Sequence, residues 1–177
     1  MEVIIYEDIP KCDFIFVGGA FTKLALYLRT NITSLIIANG GFVGSNLVNN
    51  PLDKFKGKEF MRTYNFNLDV NSTISVLNSN NYDKLYLIGK NVCHNKRNTI
   101  RSIWKETEFI NKYQLNENKK LHDLLMAQEG LKIINGQIEQ SLLNFININC
   151  INNGLNGNMT NWGSIEGNRV IAALDWK

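Results

Sequence analysis

Short runs of apolar residues followed closely by glycine recur along the first half of the chain. Residues 13–19 (DFIFVGG), 34–41 (SLIIANGG) and 84–92 (KLYLIGKNV) each hold four consecutive apolar residues. Continuous apolar runs of this length are typical of strands that are buried on both faces of a parallel sheet. The pattern therefore predicts three parallel strands, and residues 3–6 are a further candidate for a short strand.

Amphipathic segments between these runs predict helices. Thr22 is the expected N-cap of a helix over 23–29, and Asn71 or Ser72 is the expected start of a helix over 71–79. Further helices are predicted over 97–110, 119–134 and 136–148. The tail alternates over 158–164, turns at Glu166-Gly167 and alternates again over 168–176, which predicts a β-ribbon.

Strands that alternate with helices predict a single α/β domain over residues 1–177, with a parallel sheet flanked by helices and a C-terminal β-ribbon. Ligands of such sheets bind beyond the carboxyl ends of the strands. Three polar segments follow predicted strands here: the Gly18-Gly19 turn, residues 39–67 and residues 91–95. We expect them to converge on one crevice.

Composition narrows the function classes. The chain has 44% apolar and 20% charged residues and a net charge of only +3, so no nucleic-acid partner is expected. No apolar run is long enough to span a membrane, and no signal peptide is evident. The three cysteines share no metal-ligand spacing, which favours reduced thiols and a cytoplasmic location. The richness in Asn, Ile and Lys is typical of an AT-rich genome, such as that of a phage or giant virus.

Five segments, in the same order along the chain, resemble motifs of the nucleoside hydrolase family, the metal-dependent N-ribohydrolases. Residues 35–42 look like the family's Met-Gly-Gly turn, with Asn39 in place of the methionine, and residues 65–79 look like its Glu-Phe-Asn segment and following helix. The other three segments are VGGAFTKLALYLR, KLHDLLMA and GNMTNWGSIEGNRVIAALDW. The resemblance implies a truncated nucleoside-hydrolase-like sheet, which corresponds to the family's C-terminal half.

The family's catalytic metal loop has no counterpart in this sequence. That loop carries an Asp-x-Asp-x-Gly-x-Asp-Asp cluster, and the only acidic pair near the start of this chain, Glu7-Asp8, lacks the spacing. Asp123 matches a metal-ligating aspartate of the family, and the carbonyl of Gly18 lies near another ligand position. Ca²⁺ prefers six to eight oxygen ligands, so this set is incomplete and no cofactor is expected, although Ca²⁺ stays a candidate.

The resemblance also implies roles for two asparagines and a histidine. Asn65 and Asn67 match positions that contact ribose hydroxyls, and amides can both donate and accept hydrogen bonds there. From the residues alone, turn and cap roles stay open for both. His122 matches the acid that protonates the leaving base, or it stacks on the base; a half-buried helix histidine is the alternative. His94 is expected to be a loop residue.

The loop before Asn65 carries a run of cations, namely Lys54, Lys56, Lys58 and Arg62. Such a run is often only a solvated loop, but it could also close over the crevice and pair with a phosphate. The complete set of expected ligand-binding residues is Gly18, Gly19, Asn39, Lys54, Lys56, Lys58, Asn65, Asn67, His122 and Asp123.

The function expected from these features is binding of a ribose-containing nucleoside or nucleotide without hydrolysis, for instance to sequester a nucleotide signal in a viral or phage setting. One alternative is an active N-ribohydrolase completed by a second subunit or by Glu7, Asp8 or Asp13. Another is a protein interaction module with a vestigial pocket. Because half of a doubly wound sheet would leave a strand edge uncovered, a homo-oligomer or a partner chain is also expected.

Overall fold

The computed structural model describes residues 7–48, 50–94, 111–112, 120–137, 143–152, 160–166 and 170–173. The first unit along the chain is strand β1 (Phe14–Val17), helix α1 (Thr22–Tyr27) and strand β2 (Thr33–Asn39). β1 and β2 are parallel and pair from Phe14 with Leu35 to Val17 with Ala38. This strand–helix–strand arrangement is the basic unit of a parallel α/β sheet.

The segment after β2 is irregular and leads into the helical region of the middle of the chain. It contains two single turns of 3₁₀-helix (Ser45–Leu47 and Asp53–Phe55) and the two-residue strand β3 (Phe60–Met61). Helices α2 (Tyr64–Leu68) and α3 (Val70–Asn78) follow, then strand β4 (Tyr82–Ile88) and the one-turn helix α4 (Lys90–Cys93).

The last described elements are helix α5 (His122–Ile134) and strands β5 (Leu143–Asn152), β6 (Thr160–Glu166) and β7 (Val170–Ala173). The described strands form one sheet in the order β1-β2-β4-β7-β5-β6-β3. The strands β1, β2, β4 and β7 are mutually parallel, whereas β5, β6 and β3 add antiparallel strands on the far side. The predicted α/β class with parallel strands is confirmed.

Helices cover both faces of the parallel strands, which explains why those strands read as continuous apolar runs. On one face, α1 and α3 pack with Ile36 and Leu85 in a cluster that also contains Phe66 and Trp162. On the other face, α5 packs Leu125 and Met126 against Leu35, Ile37, Tyr86 and Ile88. Successive residues of β2 and β4 thus point into opposite halves of the core.

The predicted helix starts are wrong by one or more residues. Thr22 is the first residue of α1 and not its cap, and its hydroxyl donates a hydrogen bond to Asp69 Oδ2 at 2.7 Å. Helix α3 begins at Val70, and its N-cap is Asp69, whose side chain accepts a hydrogen bond from the backbone N–H of Ser72. A carboxylate is as good a cap as a serine or asparagine, so residue type alone did not decide the start.

The helix predicted over 136–148 is wrong, because residues 143–152 form strand β5. Gly136 ends α5 instead of starting a new helix: it has φ +66°, and its N–H and that of Gln137 bond the carbonyls of Ile133 and Lys132. This is the Schellman arrangement that terminates helices. The sequence of β5 is rich in Ile and Phe and alternates with Asn, which favours a strand.

The predicted C-terminal ribbon is correct in its strands and wrong in their pairing. β6 and β7 both form, but β5 lies between them and is antiparallel to each. β7 pairs instead with β4 as a parallel strand. Alternation along a strand indicates its faces but not its neighbours, so the inserted strand could not be read from the tail.

Two further predictions fall outside the described residues, namely the strand over 3–6 and the helix over 97–110. Across the described parts of the chain, no helix combines the length and the apolar character needed to cross a membrane.

Candidate functional site

The turns that follow β2 and β4 touch each other through glycines. The backbone is so close here that a Cβ on Gly89 would lie 2.6 Å from the carbonyl oxygen of Gly41. Gly41 itself has φ +85°, which favours glycine, and its carbonyl accepts a hydrogen bond of 3.1 Å from the N–H of Lys90. The carboxyl ends of the two strands are therefore held side by side.

Asn91 fixes the loop that leaves this junction. Its side-chain oxygen accepts a hydrogen bond of 2.9 Å from the N–H of Val43, and its amide nitrogen donates one of 3.0 Å to the carbonyl of the same residue. Asn91 is buried, and both polar ends of its amide are satisfied. This paired contact locks the loop against α4 and so orients the side chains that α4 carries.

A cavity of about 260 Å³ opens at these strand ends. Its walls come from the turn after β2, the first residues of α2, helix α4 and the start of α5. The lining residues are Asn39, Gly40, Gly41, Thr63, Tyr64, Asn65, Lys90, Cys93, His94 and His122. None of these residues is acidic, and most are polar.

Asn65 joins the ends of β1 and β2 at one side of the cavity. Its amide nitrogen donates hydrogen bonds to the carbonyl oxygens of Gly18, at 3.1 Å, and Asn39, at 2.7 Å. The side chain of Asn39 donates in turn to Asp123 Oδ1 at 2.7 Å. Gly18, Asn39, Asn65 and Asp123, all predicted ligand residues, thus form one hydrogen-bonded group.

Asn67 is outside this group and is not part of the cavity lining. Its amide nitrogen donates to the carbonyl of Thr160 at 2.9 Å, and its side-chain oxygen accepts a 2.7 Å hydrogen bond from Trp162 Nε1. Trp162 is 1% exposed. Asn67 therefore links α2 to β6, so its predicted ribose contact has no support from its position.

Two histidines face each other in the cavity. The ring centroids of His94 and His122 are 5.5 Å apart, and the His94 ring also packs edge-on against Phe55 at 5.8 Å. Lys54 Nζ lies 2.6 Å from His94 Nδ1. A charged lysine can only donate, so His94 accepts through Nδ1 and carries its proton on Nε2.

Burial and positive charge disfavour protonation of both histidines. Burial, followed by the charge of Lys54, lowers the pKa of His94 to about 4. Burial also lowers the pKa of His122, helped by Lys90, Lys120 and Lys54 and opposed by the carboxylate of Asp123. At neutral pH the two rings are therefore neutral hydrogen-bonding groups.

Burial and neighbouring charges also shift the pKa values of the lysines and of the thiol near the histidines. Burial lowers the pKa of Lys90, and burial together with the charges of Lys120, Lys90 and Lys58 lowers the pKa of Lys54. Burial also raises the pKa of the Cys93 thiol to about 12, so this thiol is protonated and is not a nucleophile at neutral pH.

Two buried polar atoms of the lining residues, Thr63 Oγ1 and His122 Nε2, have no hydrogen-bond partner within the described ranges. Thr63 is 2% exposed, and although it precedes α2 its hydroxyl does not cap that helix. Buried polar atoms normally have partners, and each unsatisfied one costs about 1–3 kcal/mol. A ligand whose hydroxyl groups reached these atoms would satisfy both.

Several predicted residues are not brought to the cavity. Lys56 forms an exposed ion pair with Asp53 at 2.7 Å, and Lys58 and Arg62 are exposed outside the lining. Gly19 has nothing within 4 Å of a Cβ built on it. Lys54 reaches the cavity only through its contact with His94.

The set of ligand-binding residues expected from the sequence omits seven lining residues, namely Gly40, Gly41, Thr63, Tyr64, Lys90, Cys93 and His94. Lys90, Cys93 and His94 follow β4 directly, so the rule that sites lie at the carboxyl ends of parallel strands was a usable signal for them. Thr63 and Tyr64 directly precede Asn65, but no motif marks them.

Within the ranges that the structure describes, no group of three or more His, Cys, Asp or Glu side chains has a metal-ligating arrangement. Asp123 is the carboxylate beside the cavity, and its Oδ1 lies 3.3 Å from the position of a Cβ on Gly18. Glu7 and Asp8 line a different cavity, of about 440 Å³, along β1.

Comparisons with known proteins do not assign a function to this site. No protein-family model and no solved structure matches the chain. A protein from Aquifex aeolicus (strain VF5), described as uncharacterized, is 28% identical over 123 residues, which cover 61% of this chain and 42% of that protein. The chain therefore spans less than half the length of this relative, whose description names no activity.

Proposed function

We propose that the protein binds a ribose-containing nucleoside or nucleotide in the strand-end cavity and does not hydrolyse it. The observation that carries the proposal is the cavity of about 260 Å³, whose described lining residues are mostly polar, include none that is acidic, and include Asn39, Asn65 and His122. These are the side chains that the resemblance to nucleoside hydrolases implies for ligand contact. The volume lies just below the usual range for small-molecule sites, which begins at about 300 Å³.

The hydrogen-bonding groups of the cavity suit a sugar. Asn65 uses its amide nitrogen on two backbone carbonyls, which leaves its oxygen as an acceptor for a hydroxyl. Thr63 Oγ1 and His122 Nε2 are the two atoms without a partner among the described residues. Ribose hydroxyls both donate and accept, so a ribose that displaced the side chains covering Thr63 Oγ1 and His122 Nε2 could bond these atoms as well as the Asn65 oxygen.

Binding without hydrolysis is supported by the state of Asp123. Hydrolysis of an N-glycosidic bond needs an activated water, which a metal and a carboxylate base commonly supply. Here Asp123, which neighbours the lining residue His122, already accepts a hydrogen bond from Asn39. The neutral histidines can donate hydrogen bonds to a base but hold no proton to spare for a leaving group.

Binding is tested by isothermal titration of the full chain with inosine, uridine, NAD and ADP-ribose. We expect saturable binding of at least one of these ligands. The variant Thr63→Val should weaken that binding and leave the fold at least as stable as the wild type, because valine removes a buried hydroxyl that makes no described hydrogen bond. The control is Thr30→Val, at an exposed position beyond α1, which should change nothing. Absence of binding across the panel contradicts the proposal.

Hydrolysis is tested by incubating the same ligands with the protein and Ca²⁺ and measuring released base by chromatography. We expect none. Base release that Asp123→Ala abolishes would show an active N-ribohydrolase instead, with a site completed by a second subunit.

A further inference from the structure

We infer that the ligand carries a phosphate group, which binds at the end of the cavity formed by Lys90, Lys54 and His94. This inference rests on the proposed function and narrows its ligand class from nucleosides and nucleotides to anionic nucleotides. Lys90 and His94 follow β4, and Lys54 belongs to the loop after β2. The exposed Lys56 and Lys58 are not part of this subsite.

Lys90 is the centre of the subsite. It is half-buried, it lines the cavity, and its backbone N–H is tied to Gly41, so its position is fixed by the junction of the two turns. No carboxylate in the described parts of the chain lies within ion-pair distance of it. A half-buried ammonium without a counter-charge is costly, and an anionic ligand would remove that cost.

Lys54 lies next to the same end of the cavity through its contact with His94. Its loop is anchored by Phe55, which is 2% exposed and packs edge-on against Phe42 at 5.2 Å. The ammonium of Lys54 contacts His94 Nδ1 at 2.6 Å and so lies beside a lining residue. A phosphate bound between Lys54 and Lys90 would take the place of His94 Nδ1 as the acceptor for the Lys54 ammonium. A charged acceptor makes a stronger hydrogen bond than the neutral imidazole.

The electrostatic balance of this end of the cavity is positive. The pKa values of both histidines are lowered by burial and by the charges of Lys54, Lys90 and Lys120. The three ammonium groups therefore lie near the same two rings. Asp123 opposes these charges at His122, and its Oδ1 accepts a hydrogen bond from the amide of Asn39. The cavity therefore has a cationic end at α4 and a neutral amide end at Asn65, which match the phosphate and the sugar of one nucleotide.

The inference is tested by titrating the full chain with matched pairs, AMP with adenosine and UMP with uridine, and with inorganic pyrophosphate. Each nucleotide should bind at least about tenfold more tightly than its nucleoside, the effect expected of one charge-assisted hydrogen bond. Lys90→Met, which keeps the length of the side chain, should remove this difference by lowering the affinity for the nucleotide to about that for the nucleoside. The matched control is Lys84→Met, on the exposed start of β4, which should leave the difference intact.

The outcomes separate this inference from the proposed function. Equal affinities for nucleotides and nucleosides overturn the phosphate subsite and leave nucleoside binding standing. Pyrophosphate that binds as tightly as nucleotides, with no binding of nucleosides, supports the subsite and overturns the ribose site. An equal loss of nucleotide affinity in Lys90→Met and Lys84→Met overturns the role of Lys90, and a panel with no binding overturns both proposals.

Discussion

Two asparagines separated by one residue have different tasks in this protein. Asn65 faces the strand ends and bonds the carbonyls of Gly18 and Asn39, whereas Asn67 bonds Thr160 and Trp162 in β6. Between them Phe66 is fully buried and packs edge-on against both Phe21 and Trp162. Residues two apart on a helix lie on different faces, so one short helix serves both the cavity and the core.

Replacing Asn67 should therefore affect stability and not binding. Asn67→Ala leaves the buried indole N–H of Trp162 and the carbonyl of Thr160 without their partner, which should lower the free energy of unfolding by about 2 kcal/mol or more. Urea denaturation measures this loss. Ligand affinity of the folded variant should stay within about twofold, while Asn65→Ala weakens binding. A selective loss of affinity in Asn67→Ala would instead return this residue to the ligand site.

How much of the site the sequence could predict depends on the kind of residue. Asn39 and Asn65 stand at strand ends or in a recognisable motif, so their place beside the crevice could be predicted. Lys90 also follows a strand end, but a lysine is usually solvated, so its half-burial could not be predicted before the folded turn was seen. Thr63 resembles an ordinary helix cap until the structure shows that its hydroxyl caps nothing.

At the scale of the elements, Asp69 holds two helices together. Its carboxylate caps α3 by accepting the N–H of Ser72, at 3.0 Å, and it also accepts the hydroxyl of Thr22 at the start of α1. The hydrogen bond from the Ser72 backbone, followed by that from Thr22, lowers the pKa of Asp69 below its ordinary value of 3.8. A carboxyl group with a lowered pKa stabilises the fold when it is ionised.

This cap gives a prediction with a pH dependence. Asp69→Ala should lower the free energy of unfolding by about 1 kcal/mol at neutral pH, the usual effect of losing a helix cap. The contribution is present in full above pH 3.8, the ordinary value, and is lost as the pH falls through the lower pKa of the folded state. Urea midpoints of the wild type and the variant should therefore converge in acid.

Asp69→Asn is the matched control for this prediction, because its amide oxygen still caps the helix but does not titrate. The difference between Asp69→Asn and Asp69→Ala should stay constant with pH. A difference between wild type and Asp69→Ala that is as large in acid as at neutral pH would contradict the role given to the carboxylate.

The elements themselves differed in how far the sequence could predict them. Strands β2 and β4 were predictable because burial on both faces leaves a continuous apolar run. Helix α2 was not, because its five residues hold too little periodicity to separate it from a turn. Strand β5 was mistaken for a helix because Gly136 was read as a start, although a glycine with positive φ more often ends a helix.

At the scale of the whole molecule, β1 forms one edge of the sheet in the part of the chain that the structure describes. In the described part of the chain β1 pairs with β2 and with no second strand. Phe14 and Phe16 point to the face where α5 packs, and they stay 53% and 39% exposed. Gly130 of α5 lets the helix approach Phe16 closely.

This edge leads us to expect a homo-oligomer in which β1 meets the same strand of a second copy. Edge strands with apolar side chains and unpaired backbone groups pair readily, and a charge on the edge prevents this pairing. Light scattering coupled to size exclusion should then give a mass above the 20.2 kDa of one chain. Phe14→Lys should shift that mass towards the monomer, whereas Leu68→Lys, also 53% exposed but located on α2, should leave it unchanged. A wild-type protein that elutes as a monomer at every concentration would rule out pairing through β1. An equal effect of both variants would also rule it out, because a charge on α2 should not disturb pairing through β1.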